Sequence, residues 1–428
     1  MKKQTPRELL EAYVPQLPNK HAVRLTRLLF GAMQLLRPTK YIYKFDKREM
    51  KGRPVLLLAQ HASHDDPYDV IWGYRFVMPN AIMSMHNILI PGFMRLLMAD
   101  GVILKSLYEP DMSAMRHLLR LHKQNASFVL FPEGIQSMDG TTQPLHPATA
   151  RLVKKLAMDT VLCTSHGAYL SRPRFASGPR RGRKEYSYEL LFSKEEIKTL
   201  SEKEVYARLL EKFCYNDYLW NSEKHYAYRG KTPCAEGIDR LLFICPRCRR
   251  QFSMHVEGDR LLCDCGSAVR IDETYRLLPE AEDFPFTRID EWYRWQQEVI
   301  GEEVLAEDFC LRYDASYQTL NLDTLSRKRN ITVGEGQVVL DRSFFRYIGT
   351  RNGEPADLSF KLSRIPSAPF PIAPANEFYY DGVFRLFIPK DDPRLAVKVL
   401  LAVEALHNLD DPVRRKAVED VQQVKYKG

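Results

Sequence analysis

The sequence predicts an α/β domain with a mixed, mostly parallel sheet, followed by two smaller modules. Three observations carry that expectation. Short apolar runs alternate with helical ones between residues 39 and 192, four cysteines cluster between 245 and 265, and β-like runs dominate after residue 304.

With 428 residues and 45% hydrophobic content, the chain can bury two or three cores, which excludes disordered and fibrous classes. The formal charge of +9 favours an anionic partner: nucleic acid, a membrane surface or a phosphorylated substrate.

Residues 1–38 hold two helical stretches, 6–13 and 21–36, separated by the break at Pro15 and Pro18. The second mixes Val23, Leu28, Leu29, Met33 and Leu36 with Arg24, Arg27 and Arg37. That pattern suits an amphipathic helix on an anionic lipid surface, or equally a helix covering the sheet of its own domain. Its apolar run 28–36 contains Gly31 and Gln34. It falls well short of the roughly 20 residues that cross a bilayer, so no span is expected.

Residues 39–238 form the α/β domain. Its strands are expected at 41–45, 55–59, 81–85, 102–104, 128–131, 160–164 and 186–192, and helices at 68–76, 93–98, 112–123 and 148–157. Residues 172–184 contain basic side chains and no acidic one, with Pro173, Gly178, Pro179 and Gly182 keeping them a loop. This loop is either a solvated segment or a phosphate contact. Ser201 and Glu204 form a capping box for a helix running to about 215, and an aromatic segment at 218–228 closes the domain.

In residues 239–275, Cys245-Pro246-Arg247-Cys248 and Cys263-Asp264-Cys265-Gly266 face each other across β-like stretches. Four thiolates suit a closed tetrahedral zinc site that holds together a ribbon too small to fold on its own core. The one-residue gap in the second pair is unusual, and His255 or Cys234 could replace a ligand. Cys163, Cys214, Cys234 and Cys310 are scattered, and with no signal peptide visible a reducing cytoplasm is the expected compartment. A basic chain with a ribbon also raises nucleic-acid binding, which Arg247, Arg249 and Arg250 favour. The ribbon lacks an aromatic stacking set, so nucleic acid is not among the expected partners.

Residues 276–303 read as a connector with a helix at 287–300, its Trp292, Trp295 and Val299 on one packing face. Residues 304–428 are expected to hold strands at 309–313, 331–333, 338–340, 344–348, 358–361, 378–380 and 383–388, the last two joined by the hairpin signal Asp381-Gly382. One closing helix follows, with Asp392 as cap, Pro393 in its first turn, and Leu395, Val399, Ala402 and Leu406 in helical spacing. This small α+β module resembles a pleckstrin-homology domain by fold analogy.

The chemistry-bearing residues lie just beyond the strand 55–59, in Gln60-His61-Ala62-Ser63-His64-Asp65-Asp66-Pro67. His61 and Asp66 have a spacing that brings a carboxylate under an imidazole, fixing its tautomer so that it can take a proton near neutral pH. His64 and Asp69 repeat the spacing. A second argument comes from Phe131-Pro132-Glu133-Gly134-Ile135-Gln136-Ser137, which ends another strand of the same sheet and can face the same crevice. Without it, a hydrogen-bonded turn pair, or a metal site from His61, His64, Asp65 and Asp66, would serve as well. Ser63 lacks a Gly-x-Ser-x-Gly elbow and reads as a turn residue.

With those two motifs in order, residues 39–192 resemble the glycerophospholipid acyltransferases, typified by bacterial 1-acylglycerol-3-phosphate acyltransferase. The resemblance implies that His61 is the base, Asp66 its partner, and Glu133 with Gly134 part of acceptor binding. It also aligns Gly101-Val102-Ile103-Leu104-Lys105 with a motif whose basic residue contacts phosphate, so Lys105 is the implied contact. Family members more often carry Arg there, and Lys acts as a point charge. Ile135-Gln136-Ser137 replaces a usual Thr-Arg-Ser and loses a cation, and the strand 160–164 lacks the family's usual proline.

The residues and the resemblance together lead to the expectation of a peripheral membrane acyltransferase in the cytoplasm. It would move an acyl chain from acyl-CoA or acyl carrier protein to the free hydroxyl of lysophosphatidic acid or a related lyso-glycerolipid. The same chemistry on another lipid hydroxyl, and a non-catalytic zinc-ribbon binding protein, are the alternatives.

Overall fold

Val55–Ala59 is buried at every position, the burial of a central strand covered on both faces. In the computed structural model, which describes residues 5–34, 39–89, 93–106, 111–282, 284–323, 328–369 and 375–425, it is strand β2 of a seven-stranded sheet. That sheet comprises β1 (Thr39–Tyr43), β2 (Val55–Ala59), β3 (Asn80–Ser84), β4 (Ile103–Lys105), β5 (Phe128–Leu130), β6 (Asp159–His166) and β7 (Lys184–Phe192). Their order is β1-β7-β6-β2-β5-β3-β4. Every pairing is parallel except β6 with β7. The mixed, mostly parallel α/β sheet is therefore present, and β2, β5, β3 and β4 end on one edge, where such sheets carry their sites.

The helix expected at 68–76 begins earlier, as Asp66–Gly73, with Pro67 in its first turn. Asp66 thus opens a helix, where a carboxylate also meets the favourable end of the helix dipole.

The N-terminal helix Lys20–Gln34 packs beside Asp66–Gly73 and Met94–Ala99. Ala22, Val23 and Thr26 are buried, Thr26 Oγ1 donates to Asp100 Oδ2 at 2.6 Å, and Phe30 meets Tyr68 edge-on at 4.6 Å. Leu25, Leu28 and Leu29 point outward, with Leu28 70% exposed. One face thus covers its own domain, while the other carries a bare leucine ridge. The expected end of this helix, at Leu36, lies outside the described residues.

The cysteine segment forms a four-stranded antiparallel sheet of β8 (Met254–Glu257), β9 (Arg260–Cys263), β10 (Ala268–Ile271) and β11 (Leu277–Pro279). The connector helix Ile289–Glu303 is tied to it: Trp292 Nε1 donates to Ile244 O at 2.9 Å, and Gln296 binds Ile244 N and Leu241 O.

The last module is one six-stranded antiparallel sheet. It comprises β12 (Cys310–Leu320), β13 (Asn330–Asp341), β14 (Phe344–Arg351), β15 (Glu354–Lys361), β16 (Asn376–Tyr380) and β17 (Val383–Pro389), in the order β15-β14-β13-β12-β17-β16. Asp381 and Gly382 have φ of +52° and +70°, as a two-residue hairpin of this kind requires.

Three sequence expectations need correction here. The runs 331–333 and 338–340 are one strand, because Gly334 and Gly336 sit where a Cβ would run into the backbone of Thr350 and Ile348 on β14. Asp392 and Pro393 lie in the turn ahead of a helix that starts at Leu395, with Asp392 accepting from Arg394 N at 2.9 Å. Two helices close the chain instead of one: after Leu395–Asp410, Pro412–Lys425 returns to pack on Glu202–Phe213 of the first domain.

Candidate active site

Just past β2, Gln60 is buried and fixes the start of the polar loop, its Oε1 accepting from Ser165 N at 2.6 Å and its Nε2 donating to Phe213 O at 2.5 Å. The next backbone N–H, of His61, donates to Glu133 Oε1 at 2.7 Å, and His61 O accepts from Ser137 N at 2.8 Å. Glu133 Oε2 accepts from Gln143 N at 2.7 Å. One buried carboxylate therefore ties together the loops after β2 and β5. Burial pushes Glu133 up to about 8, opposed by those two N–H donors.

Gly134 completes the turn at φ +75°, where a Cβ would meet nothing within 4 Å. Gly134→Ala is expected to cost only the left-handed backbone strain, about 1–2 kcal/mol, visible as a lower melting temperature with the site otherwise intact.

Asp66 is fully buried beneath the loop. Its Oδ2 accepts from Ser63 N at 2.5 Å and its Oδ1 from Tyr186 Oη at 2.7 Å. His61 Nδ1 stands 3.5 Å from Asp66 Oδ2, and the ring leans on Phe131 with centroids 4.6 Å apart. Catalytic contacts of this length are common before substrate binds and tighten afterwards. Burial raises the Asp66 carboxyl and His61 opposes it. With Nδ1 turned to the carboxylate, Nε2 is the nitrogen that can exchange a proton with a ligand.

The second frame separates. Asp69 is engaged by Lys184 and by Tyr186 Oη. His64 instead lines a cleft with Gln136, Arg172, Pro173, Arg174, Ala176 and Ser177. Burial, Arg172 and Arg174 lower its imidazole to about 4. Ser63 spends its N–H on Asp66 and its hydroxyl on Asp65 N, inside the turn. Asp65 turns to Arg172 at 3.1 Å. Among the described residues, His61, His64, Asp65 and Asp66 do not converge as metal ligands.

Lys105 ends β4 on the same sheet edge, its Nζ donating to Ser106 O at 3.0 Å. It stands three strands from β2, about 14 Å by strand spacing. The basic loop is buried in part, with Arg181 and Arg183 exposed. Arg174 is buried and donates to Gln136 Oε1 at 2.8 Å, while Arg180 donates to Thr232 O and Pro233 O. Sequence reasoning gave no role to Gln60, at the head of the polar stretch, or to Tyr186, at the start of its strand, and left the arginines without positions.

The four cysteines do converge, with all sulfurs within 4.8 Å of one another. Cys245 to Cys265 and Cys248 to Cys263 are each 3.7 Å, against about 3.8 Å for the edge of a tetrahedron with 2.3 Å metal–sulfur arms. The short second gap works because Cys265 sits in the β9–β10 turn, where Gly266 N returns to Cys263 O at 2.9 Å and Gly266 takes φ +87°. Cys234 is elsewhere, with its Sγ 3.3 Å from Tyr228 O, and His255 is half exposed beside Glu257 and Asp264. The fit is to a four-thiolate metal site.

The fold and the clamped loops define an α/β domain with an imidazole–carboxylate pair at the ends of its parallel strands. No protein-family model and no curated protein matches the chain. Among solved structures it is similar to the 1-acyl-sn-glycerophosphate (LPA) acyltransferase PlsC from Thermotoga maritima. The two are 19% identical over 44% of this chain and 76% of that one, with a TM-score of 0.36, too distant a likeness to bear on activity.

Proposed function

We propose that the protein is an acyltransferase that moves an activated acyl chain onto the free hydroxyl of lysophosphatidic acid or a related lyso-glycerolipid. The observation that carries this is the bond from His61 N–H to Glu133 Oε1, which joins the His-x4-Asp and Phe-Pro-Glu-Gly motifs in one site. His61 Nε2 takes the acceptor's hydroxyl proton as the oxygen attacks the carbonyl of a thioester, acyl-CoA or acyl carrier protein. Collapse of the tetrahedral intermediate breaks the carbon–sulfur bond, and the imidazolium returns its proton to the leaving thiolate. Glu133 and Gly134 shape the acceptor side through the turn they hold, and Lys105 is the implied phosphate contact on the same edge. Incubating the full chain with several donors and acceptors and identifying lipid products by mass spectrometry tests the reading; no acylated product from any pair would sink it.

The four cysteines are proposed to hold one structural zinc ion. The protein is proposed to work at an anionic membrane surface, with the Leu25, Leu28 and Leu29 ridge entering the lipid. No helix of the described residues is long and apolar enough to cross a membrane. Leu28→Glu is expected to weaken co-sedimentation with anionic vesicles about tenfold, the scale of one leucine's burial, leaving the melting temperature unchanged.

A further inference from the structure

We propose that Arg172 and Arg174 form the cationic wall of a pocket for a phosphate group beside His61, with Gln136 and His64 as its neutral polar side. The assignment rests on the acyl-transfer reading for the identity of the ligand, and on geometry for the place.

Three observations point there. The cleft is lined by His64, Gln136, Arg172, Arg174 and Ser177. It adjoins the candidate base, because His64 shares the loop of His61 and Gln136 precedes Ser137, whose N–H binds His61 O. Gln136 is 93% buried: its Oε1 accepts from Arg174 Nη1 at 2.8 Å, while its Nε2 is buried with no hydrogen-bond partner. Such a donor calls for an acceptor, and the cleft that Gln136 lines is where an oxygen, of a ligand or of a water, can reach it.

The electrostatics agree in sign. Both arginines act against a charge on His64, and Arg174 also acts on Glu377 and His86 across the boundary with β16. Carboxylates stand on both arginines: Asp65 Oδ1 accepts from Arg172 Nη1 at 3.1 Å, and the buried Glu377 lies within the field of Arg174. Guanidinium groups match phosphate oxygens in a planar fork, which the point charge of Lys105 cannot do. Arg174 thus brings a cation to Gln136 from a different loop.

A phosphate here could belong to the lipid acceptor or to the phosphopantetheine arm of the donor. Lysophosphatidic acid, the phosphate-free monoacylglycerol and coenzyme A are each titrated against the full-length protein and against Arg172→Ala, Arg174→Gln and the swap Arg174→Gln with Gln136→Arg. Each single variant is expected to lose about tenfold in affinity for one phosphate ligand, the scale of a charge-assisted hydrogen bond, with monoacylglycerol binding unchanged. The swap should restore most of it. A loss confined to lysophosphatidic acid assigns the acceptor, and one confined to coenzyme A assigns the donor. If Arg174→Gln does not fold, the more exposed Arg172→Ala decides. Folded variants that bind all three ligands like wild type overturn the pocket. Wild type that binds phosphate through these arginines but acylates nothing keeps the pocket and defeats the acyl-transfer reading.

Discussion

His61→Ala is expected to lower the acyl-transfer rate by about 10²–10⁴-fold, the range of a positioned general base, while the protein stays folded. The second half of that expectation comes from what the residue holds. The bond to Glu133 comes from the backbone N–H of His61, which alanine keeps, so the clamp between the two loops survives. Asp66 loses its 3.5 Å neighbour but retains Ser63 N–H and Tyr186 Oη, so no buried carboxylate is stranded without donors. The lost packing is mainly the ring face on Phe131, and the side chain is already 22% exposed. Rates from a lipid-product assay, read beside the melting temperature, test both halves; full activity in a folded variant would remove His61 from the mechanism. A variant that unfolds would show that the imidazole is structural.

The central strands of the first sheet, such as Val55–Ala59 and Phe128–Leu130, were legible as short apolar runs, and β1 and β7 by their alternating aromatic residues. Both motifs were legible because each is contiguous in the chain. That both could face one crevice was legible too, but the distant side chains that hold each motif were not. Tyr186 reaches Asp66 across 120 residues and Arg174 reaches Gln136 across 38. Such partners are set by the strand order β7-β6-β2-β5, which local pattern does not determine. Gly334 and Gly336 read as a break for a related reason: a glycine needed for close strand approach looks the same in sequence as one needed for a turn. Pro412–Lys425 was missed because its sequence is largely polar, and its Val421 finds its place only in the buried cluster that includes Leu209 and Phe213 of the first domain. The rival frame of His64 and Asp69 was separated by tertiary contacts, with Lys184 engaging Asp69 and the basic loop surrounding His64.

Replacing Cys245 and Cys248 together with serine is expected to remove one equivalent of bound zinc per chain and to lower thermal stability sharply. The strands of the cysteine module are three or four residues long, too short to hold a sheet by their own packing. Metal binding in such modules is folding free energy, on the order of 10 kcal/mol for structural zinc. The effect should spread, because the module is a junction. Ile244 anchors the connector helix through Trp292 and Gln296, Gln251 Oε1 accepts from Lys398 Nζ at 2.8 Å, and Met254 O accepts from Arg394 Nη1 at 2.7 Å. Losing the metal should therefore also loosen the helix Leu395–Asp410. Metal analysis of the purified variant is the deciding measurement, with Cys310→Ser, at an exposed lone cysteine, as the control that keeps its metal. Unchanged zinc in the double variant would refute the site, whereas lost zinc with unchanged melting would confine the ion to a local role and leave the junction to its hydrogen bonds.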